Sequence, residues 1–156
     1  MKFLVSDTTI DVEATRKAVA DNSCGALVVF EGWIRDHNEG QEVERLEYEV
    51  YRPVAEKEGA RIIDEALARF SVSHAVCIHR EGLLELGDCA VIVCVSSPHR
   101  GEAFDACRYI IDETKTRLPI WKKEHYTSGI SEWVNCEHCA AAGHSDGSNR
   151  EGHRHD

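Results

Sequence analysis

Residues 89–96 constrain the fold of this chain more than any other segment, because nearly all of them are apolar. A strand of this composition is typical of the interior of a sheet that is covered on both faces. The chain has 156 residues, of which 42% are hydrophobic, and this is enough for one ordinary domain. We therefore expect a single domain with this strand at the centre of its sheet.

Helical periodicity and capping signals predict two long helices, over residues 53–70 and 98–117. Each has a proline in its first turn, and Ser97 is the expected cap of the second. A shorter helix is expected over residues 9–20, with Asp11 as its candidate cap.

The remaining apolar or alternating segments predict further strands, over residues 25–34, 46–51, 73–79, 120–126 and 130–134. There is no internal repeat and no sign of a second core. The order of elements predicts an α+β domain over residues 1–135, in which the two main helices pack on a mixed sheet.

The tail, residues 136–156, is rich in Gly, Ala, Ser, His and charged residues, and we expect it to be disordered. It also contains residue types that bind Zn²⁺, namely Cys136, His138, Cys139, His144, His153 and His155. The tail lacks a second well-spaced pair of ligands within a folded unit. Disorder and metal binding both stay open for this segment.

Overall charge limits the classes of partner. The chain has 28 Asp and Glu against 18 Lys and Arg, so a broad basic face for nucleic acid or a membrane surface is not expected. No leader or membrane-spanning run is apparent, which predicts a cytoplasmic protein. Cys77, Cys89, Cys94 and Cys107 lie in apolar runs and are interpreted as reduced core residues.

Against this acidic background, residues 115–123 contain four cations, Lys115, Arg117, Lys122 and Lys123. Like charges beside an apolar segment repel one another unless an anion lies among them, so a small anionic substrate is one explanation. The other is a solvated helix end, where cations complement the carbonyl dipole without a ligand.

Other candidate anion ligands are Arg35, at the end of a strand, and His99 and Arg100, in the first turn of a helix where free N–H groups favour an anion. Each has a simpler interpretation. Arg35 could pair with a neighbouring carboxylate, His99 could bond locally, and Arg100 could be solvated.

Four motifs, at residues 30–40, 46–51, 97–100 and 115–124, together resemble the large, catalytic subunit of molybdopterin synthase. The resemblance covers roughly residues 5–134 and implies an α/β hammerhead-like fold. It implies sulfur transfer in molybdenum cofactor biosynthesis: cyclic pyranopterin monophosphate becomes molybdopterin by receiving two sulfurs. Each sulfur arrives as a thiocarboxylate on the C-terminal glycine of a small ubiquitin-like subunit. A homodimer within a heterotetramer is implied, and no cofactor or metal is expected.

The resemblance also implies roles for nine residues. Lys115 and Lys122 match the family's catalytic pair. The implied substrate-binding residues are Trp33, Ile34, Arg35, His99, Arg100, Lys123 and Glu124.

His99 and Lys115 are sixteen residues apart in one expected helix, which corresponds to about 24 Å. One small pocket cannot hold both ends. Either the helix breaks, or His99 and Arg100 are donated across a subunit interface, and we expect the second arrangement.

Two rival functions use the same chain differently. A sulfur relay would need a reactive cysteine, but the cysteines in apolar runs have no nearby base, which leaves Cys136 and Cys139 in the tail as the candidates. A docking module for a ubiquitin-like protein would need no catalytic residue, and the paired lysines argue against it.

Overall fold

The computed structural model describes residues 2–135. Its three helices are α1 (Val12–Ala18), α2 (Arg52–Arg69) and α3 (Arg100–Arg117). Its strands are β1 (Lys2–Ser6), β2 (Ala26–Trp33), β3 (His37–Asn38), β4 (Gln41–Val50), β5 (His74–Arg80), β6 (Gly82–Glu85), β7 (Cys89–Ser97), β8 (Ile120–Tyr126) and β9 (Ser131–Asn135). Both predictions for the tail, disorder and zinc binding, lie outside the described residues.

The first sheet has the strand order β1-β5-β7-β2. Strand β1 runs parallel to β5, and the other pairs are antiparallel. Alternate residues of β7 enter two separate apolar clusters: Val93 and Val95 contact the cluster formed with α2 and α3, while Ile92 and Cys94 contact the cluster beside α1. The prediction of an internal strand covered on both faces is confirmed.

The second sheet is antiparallel, with the order β3-β4-β8-β9 and with β6 paired to β4. The strands are thus divided between two sheets, which the linear order of elements does not reveal. Gly82, with φ of 95°, lies where the chain leaves β5 in the first sheet and enters β6 in the second. A left-handed conformation of this kind favours glycine.

Helix boundaries follow the predicted signals in two of three cases. Asp11 accepts a hydrogen bond from the Ala14 N–H at 3.0 Å and caps α1, which is shorter than expected. Helix α2 begins at Arg52 with a proline in its first turn. The expected Ser97 cap of α3 is wrong, because Ser97 still pairs with β2 and the helix begins after His99.

Helix α3 is continuous from Arg100 to Arg117, so the alternative of a broken helix is excluded. Its eighteen residues extend about 27 Å. The C-terminal end lies beside the second sheet through the Leu118 turn into β8, and His99 lies at the opposite end. No helix in residues 2–135 is both long and apolar enough to cross a membrane.

Candidate active site

A cavity of about 140 Å³ lies where the end of β2, the β3–β4 hairpin, the C-terminal end of α3 and strand β8 meet. It is lined by Trp33, Ile34, Arg35, His37, Asn38, Val43, Leu46, Tyr48, Lys115, Lys122 and Glu124. Two larger cavities have three and four carboxylate side chains in their linings, with no Lys or Arg, and are unsuited to an anion. The cationic cavity is therefore the candidate active site.

Six of the nine expected site residues line this cavity although they come from separate parts of the sequence. They are Trp33, Ile34, Arg35, Lys115, Lys122 and Glu124. His99, Arg100 and Lys123 are absent from its lining in a single chain.

Strand alternation separates two adjacent lysines of β8. Lys122 and Glu124 are two residues apart and lie on the face directed into the cavity. Lys123 lies on the other face, where its Nζ is 5.4 Å from the centroid of the Trp133 ring. This geometry is a cation–π contact and leaves Lys123 outside the cavity.

Glu124 is the centre of a buried polar network, with only 2% of its surface exposed. Its carboxylate accepts hydrogen bonds from Asn38 Nδ2 at 3.0 and 2.9 Å and from the Tyr126 hydroxyl at 2.7 Å, and it lies 3.1 Å from Lys122 Nζ. Burial by itself raises the pKa of Glu124, but the bonds from Tyr126 and Asn38 and the charge of Lys122 outweigh burial and lower it. The carboxylate is therefore ionised at neutral pH and holds Lys122.

Lys115 has a different environment. Within residues 2–135 it is in no ion pair or side-chain hydrogen bond, and it lies beside the buried His79. Burial and the charge of Lys115 lower the pKa of His79 to about 4, so this imidazole is neutral at pH 7. His79 Nδ1 donates to the Arg80 carbonyl oxygen at 2.7 Å, and its ring meets Tyr48 edge-on at 4.9 Å.

Arg35 donates from Nη2 to Asn38 Oδ1 at 3.1 Å. The alternative in which Arg35 pairs with Asp36 is excluded, because the Asp36 carboxylate instead contacts His37 Nδ1 at 2.8 Å. Trp33 is 67% exposed at the edge of the cavity, with its ring N–H donating to Glu31 at 3.2 Å. An exposed guanidinium and an exposed indole can both contact a planar anionic ligand.

Arg117, by contrast, does not take part in the site. Its guanidinium is bonded to Glu58 and Glu65 and lies 3.4 Å from Glu113. These carboxylates hold the pKa of Arg117 above its ordinary range. Of the four cations of residues 115–123, only Lys115 and Lys122 line the cavity, and Arg117 and Lys123 lie outside its lining.

Comparison with known proteins identifies the family. Residues 5–117 match the family described as MoaE protein. The chain belongs to the MoaE family. A molybdopterin synthase catalytic subunit from Pyrococcus abyssi (strain GE5 / Orsay) is 46% identical over 114 residues, covering 73% of this chain and 77% of that protein. MoaE membership confirms the resemblance found in the sequence motifs and the role of a molybdopterin synthase catalytic subunit.

Solved structures agree with this assignment to the MoaE family. The crystal structure of molybdopterin synthase from Staphylococcus aureus matches with a TM-score of 0.78 and 39% identity, over 85% of this chain and 95% of that chain. A complex of subunits 1 and 2 of molybdopterin-converting factor from Helicobacter pylori 26695 matches with a TM-score of 0.69 over 85% of this chain and 88% of that chain. Its identity is 17%, so it is evidence on the fold alone. The expected α+β class is confirmed.

Sequence reasoning missed two residues of the network in this MoaE protein, Asn38 and Tyr126. Tyr126 continues the alternation of Lys122 and Glu124 along β8, so its face could have been read from the sequence. Asn38 lies in the two-residue strand β3, 86 residues from Glu124, and no local pattern indicates that the two side chains meet.

The described cysteines have environments unsuited to a sulfur relay. Cys77, Cys94 and Cys107 are buried and free. Burial raises the pKa of Cys77 to about 12 and the pKa values of Cys94 and Cys107 to about 11. These thiols are protonated at neutral pH and none lines the cavity, and the prediction of unpaired core residues is confirmed for these three, whereas Cys89, of which the same was predicted, is free but only partly buried.

Proposed function

We propose that this chain transfers sulfur to cyclic pyranopterin monophosphate, and that it does so twice to yield molybdopterin. The sulfur donor is the C-terminal thiocarboxylate of a small ubiquitin-like subunit. The observation that carries this proposal is the convergence of Lys115 from α3 and Lys122 from β8 on one cavity that also contains Arg35. Two cations beside an anion-binding arginine suit a phosphorylated substrate and an anionic donor.

The two lysines have different surroundings and therefore different proposed roles. Lys122 is held against the ionised Glu124, so it acts as a fixed cation that stabilises the oxyanion or thiolate formed during transfer. Lys115 has no carboxylate partner within residues 2–135, so its ammonium is available to the reacting groups and to proton transfer.

In a homodimer, Arg35 of one chain and His99 and Arg100 of the partner subunit together bind the phosphate and the polar edge of the pterin. Ligand pockets are usually about 300–1,000 Å³. The cavity of one chain is about 140 Å³, which suits part of a shared site. Because α3 is continuous over 18 residues, the His99 and Arg100 of one chain lie far from the Lys115 of the same chain. A second chain therefore has to supply His99 and Arg100 to this site.

An apolar surface beside the site suits this dimer. Strand β2 is at the edge of its sheet, with Leu27 and Phe30 partly exposed, and Phe104 of α3 beside it is 59% exposed. A cavity runs between β2 and α3 along these residues. If two chains pair here about a two-fold axis with their α3 helices antiparallel, the N-terminal end of one α3 approaches the Lys115 end of the other.

The small ubiquitin-like subunit is proposed as the second partner, in a heterotetramer with one small subunit at each end of the dimer. The Helicobacter pylori protein with the same fold forms a complex of two different subunits. The carrier's C-terminal glycine would enter the cavity so that its thiocarboxylate meets Lys115 and Lys122.

The test combines the purified chain with a thiocarboxylated carrier and the pyranopterin precursor, and measures the dithiolene product. Lys115→Ala and Lys122→Ala should each lower the rate by about 10²–10³-fold. A Cys136→Ser/Cys139→Ser double variant should retain the rate. Full activity of both lysine variants would contradict the proposal, and loss of activity in the cysteine variant would favour a sulfur relay.

The shared site has a separate test. A hybrid dimer of one Lys115→Ala chain and one Arg100→Ala chain contains one site with both defects and one intact site. Activity near half that of the wild-type dimer is expected, whereas each homodimeric variant is inactive. An inactive hybrid would mean that Arg100 acts in its own chain's site, and an active Arg100→Ala homodimer would mean that Arg100 has no role in the reaction.

A further inference from the structure

Asn38 connects the two halves of the candidate site. Its Oδ1 accepts a hydrogen bond from Arg35 Nη2 at 3.1 Å, and its Nδ2 donates to the two carboxylate oxygens of Glu124 at 3.0 and 2.9 Å. Glu124 in turn lies 3.1 Å from Lys122 Nζ. A continuous chain of polar contacts therefore runs from the anion-binding arginine to the lysine.

The amide of Asn38 satisfies both of its neighbours, because it has one group that accepts and one that donates. A guanidinium can only donate hydrogen bonds, and an ionised carboxylate can only accept them. The Asn38 oxygen must therefore face Arg35 and its nitrogen must face Glu124, so the orientation of the amide is determined by its neighbours. A carboxylate at this position would repel Glu124, and an apolar side chain would remove the bond from Arg35 and the two bonds to Glu124.

The backbone around Asn38 is held by a tight hairpin. Asn38 pairs with Gln41 across a two-residue turn in which Glu39 has φ of 50° and Gly40 has φ of 79°. Two successive positive φ angles are typical of the type I′ turn that joins adjacent antiparallel strands. The amide is therefore presented from a defined position on β3.

We propose that Asn38 is a positioning residue that sets the separation and orientation of Arg35 and Lys122. This inference rests on the proposed function, because it assigns Arg35 to the substrate and Lys122 to the transfer step. Asn38 itself need not touch the reacting atoms. Its loss should therefore weaken substrate binding and slow turnover together, since both cations lose the same support.

The test measures KM for the pterin and kcat in the complete synthase with its thiocarboxylated carrier. Asn38→Ala and Asn38→Asp are expected to raise KM about fivefold and to lower kcat about tenfold. Gln41→Glu adds a negative charge to the exposed side of the same hairpin and is the matched control, with both constants unchanged. Thermal unfolding of each variant identifies any general loss of structure.

A double variant that exchanges the amide of Asn38 and the carboxylate of Glu124 tests the positioning role more directly than either single variant. In Asn38→Asp/Glu124→Gln, the new aspartate can accept bonds from Arg35 and from the new glutamine's NH₂. The glutamine oxygen then takes the position that faces Lys122, and its NH₂ takes the position beside Tyr126, whose hydroxyl oxygen can accept a bond. The net charge of the pair is unchanged. We expect each single variant to lose about tenfold in kcat and the double variant to recover to within about threefold of wild type.

The outcomes separate this inference from the proposed function. Recovery of kcat in the double variant supports the positioning role if thermal unfolding is unchanged in the single variants, because a purely structural defect would lower their unfolding temperature as well. Multiplication of the two single losses would overturn it, as would wild-type KM and kcat in Asn38→Ala. Lys122→Ala is measured in parallel: if it is inactive, the proposed function stands whatever the Asn38 variants do, and if it is fully active, the proposed function fails.

Discussion

Lys115 and Lys122 line the cavity, whereas Arg117 and Lys123, from the same nine residues, do not. Arg117 is two residues after Lys115 on α3, which turns it to another side of the helix, where Glu58 and Glu65 bind it. Lys123 follows Lys122 on β8 and therefore faces the opposite side of the sheet. A cluster of like charges in a sequence thus need not be a cluster in space.

The largest difference in reaction rate is expected between variants of the two adjacent lysines of β8. Lys122→Ala should lower the rate of product formation by about 10²–10³-fold, because it removes a fixed cation from the cavity. Lys123→Ala removes the same charge from the other face, beside Trp133, and should change the rate by less than about twofold. Steady-state rates with saturating carrier and pterin measure both.

Equal losses of rate in the two lysine variants would contradict the predicted difference between Lys122 and Lys123. Such a result would mean that the overall positive charge matters and its position does not. A salt titration of both variants gives the control, since an effect of net charge weakens as ionic strength rises.

A smaller effect on turnover is expected for Glu124→Gln, about tenfold, together with a change in acid stability. The pKa of Glu124 is below its ordinary value of 4.5 in the folded protein, so the unfolded chain binds more protons as pH falls. The stabilisation by this carboxylate is therefore present above about pH 4.5 and is lost as pH falls through the lowered pKa.

Urea unfolding of wild type and Glu124→Gln at pH 7 and at pH 3.5 measures this dependence. The difference in free energy of unfolding between the two proteins should be smaller at pH 3.5. A difference that stays constant or grows in acid would contradict an ionised, hydrogen-bonded Glu124.

The smallest effect on turnover is expected for Arg117→Met, because Arg117 stabilises the packing of α2 on α3 and does not line the cavity. Its loss removes the guanidinium that joins Glu58 and Glu65, which keep their contacts with Arg61 and Tyr109, and should lower the free energy of unfolding by about 1–2 kcal/mol. Arg61→Met is the matched control. Arg61 is exposed and also contacts Glu58, and its removal should cost less than about 0.5 kcal/mol. A catalytic defect in Arg117→Met would place this cation in the site after all.

Local sequence signals predicted several elements well. The apolar residues 89–96 are the internal strand β7, and the segment after Pro119 is β8 with the expected bounds. Alternation within β8 already separates Lys122 and Glu124 from Lys123, although the resemblance to the family assigned all three residues to the site, Lys122 as catalytic and the other two as substrate-binding. These predictions succeeded because they depend on neighbours within a few residues.

Other features could not be read in the same way. Strand β6 has four residues, too few for a clear period, and it forms by pairing with β4. Ser97 has the composition of a helix cap, but its pairing with Ala26 of β2 keeps it in a strand. In both cases a contact with a distant segment outweighs the local preference.

The amino-acid sequence alone determined the family, the residue types available for catalysis and the periodicity that gives each helix and strand its faces. The tertiary structure decided which of those residues share a cavity, that Arg117 has a structural partner, and that Asn38 joins Arg35 to Glu124. The physical reason is the separation along the sequence over which each kind of interaction acts. Propensity and periodicity act over a few neighbouring residues, whereas the bond between Asn38 and Glu124 joins side chains 86 positions apart and exists only after β3 and β8 have both paired with β4.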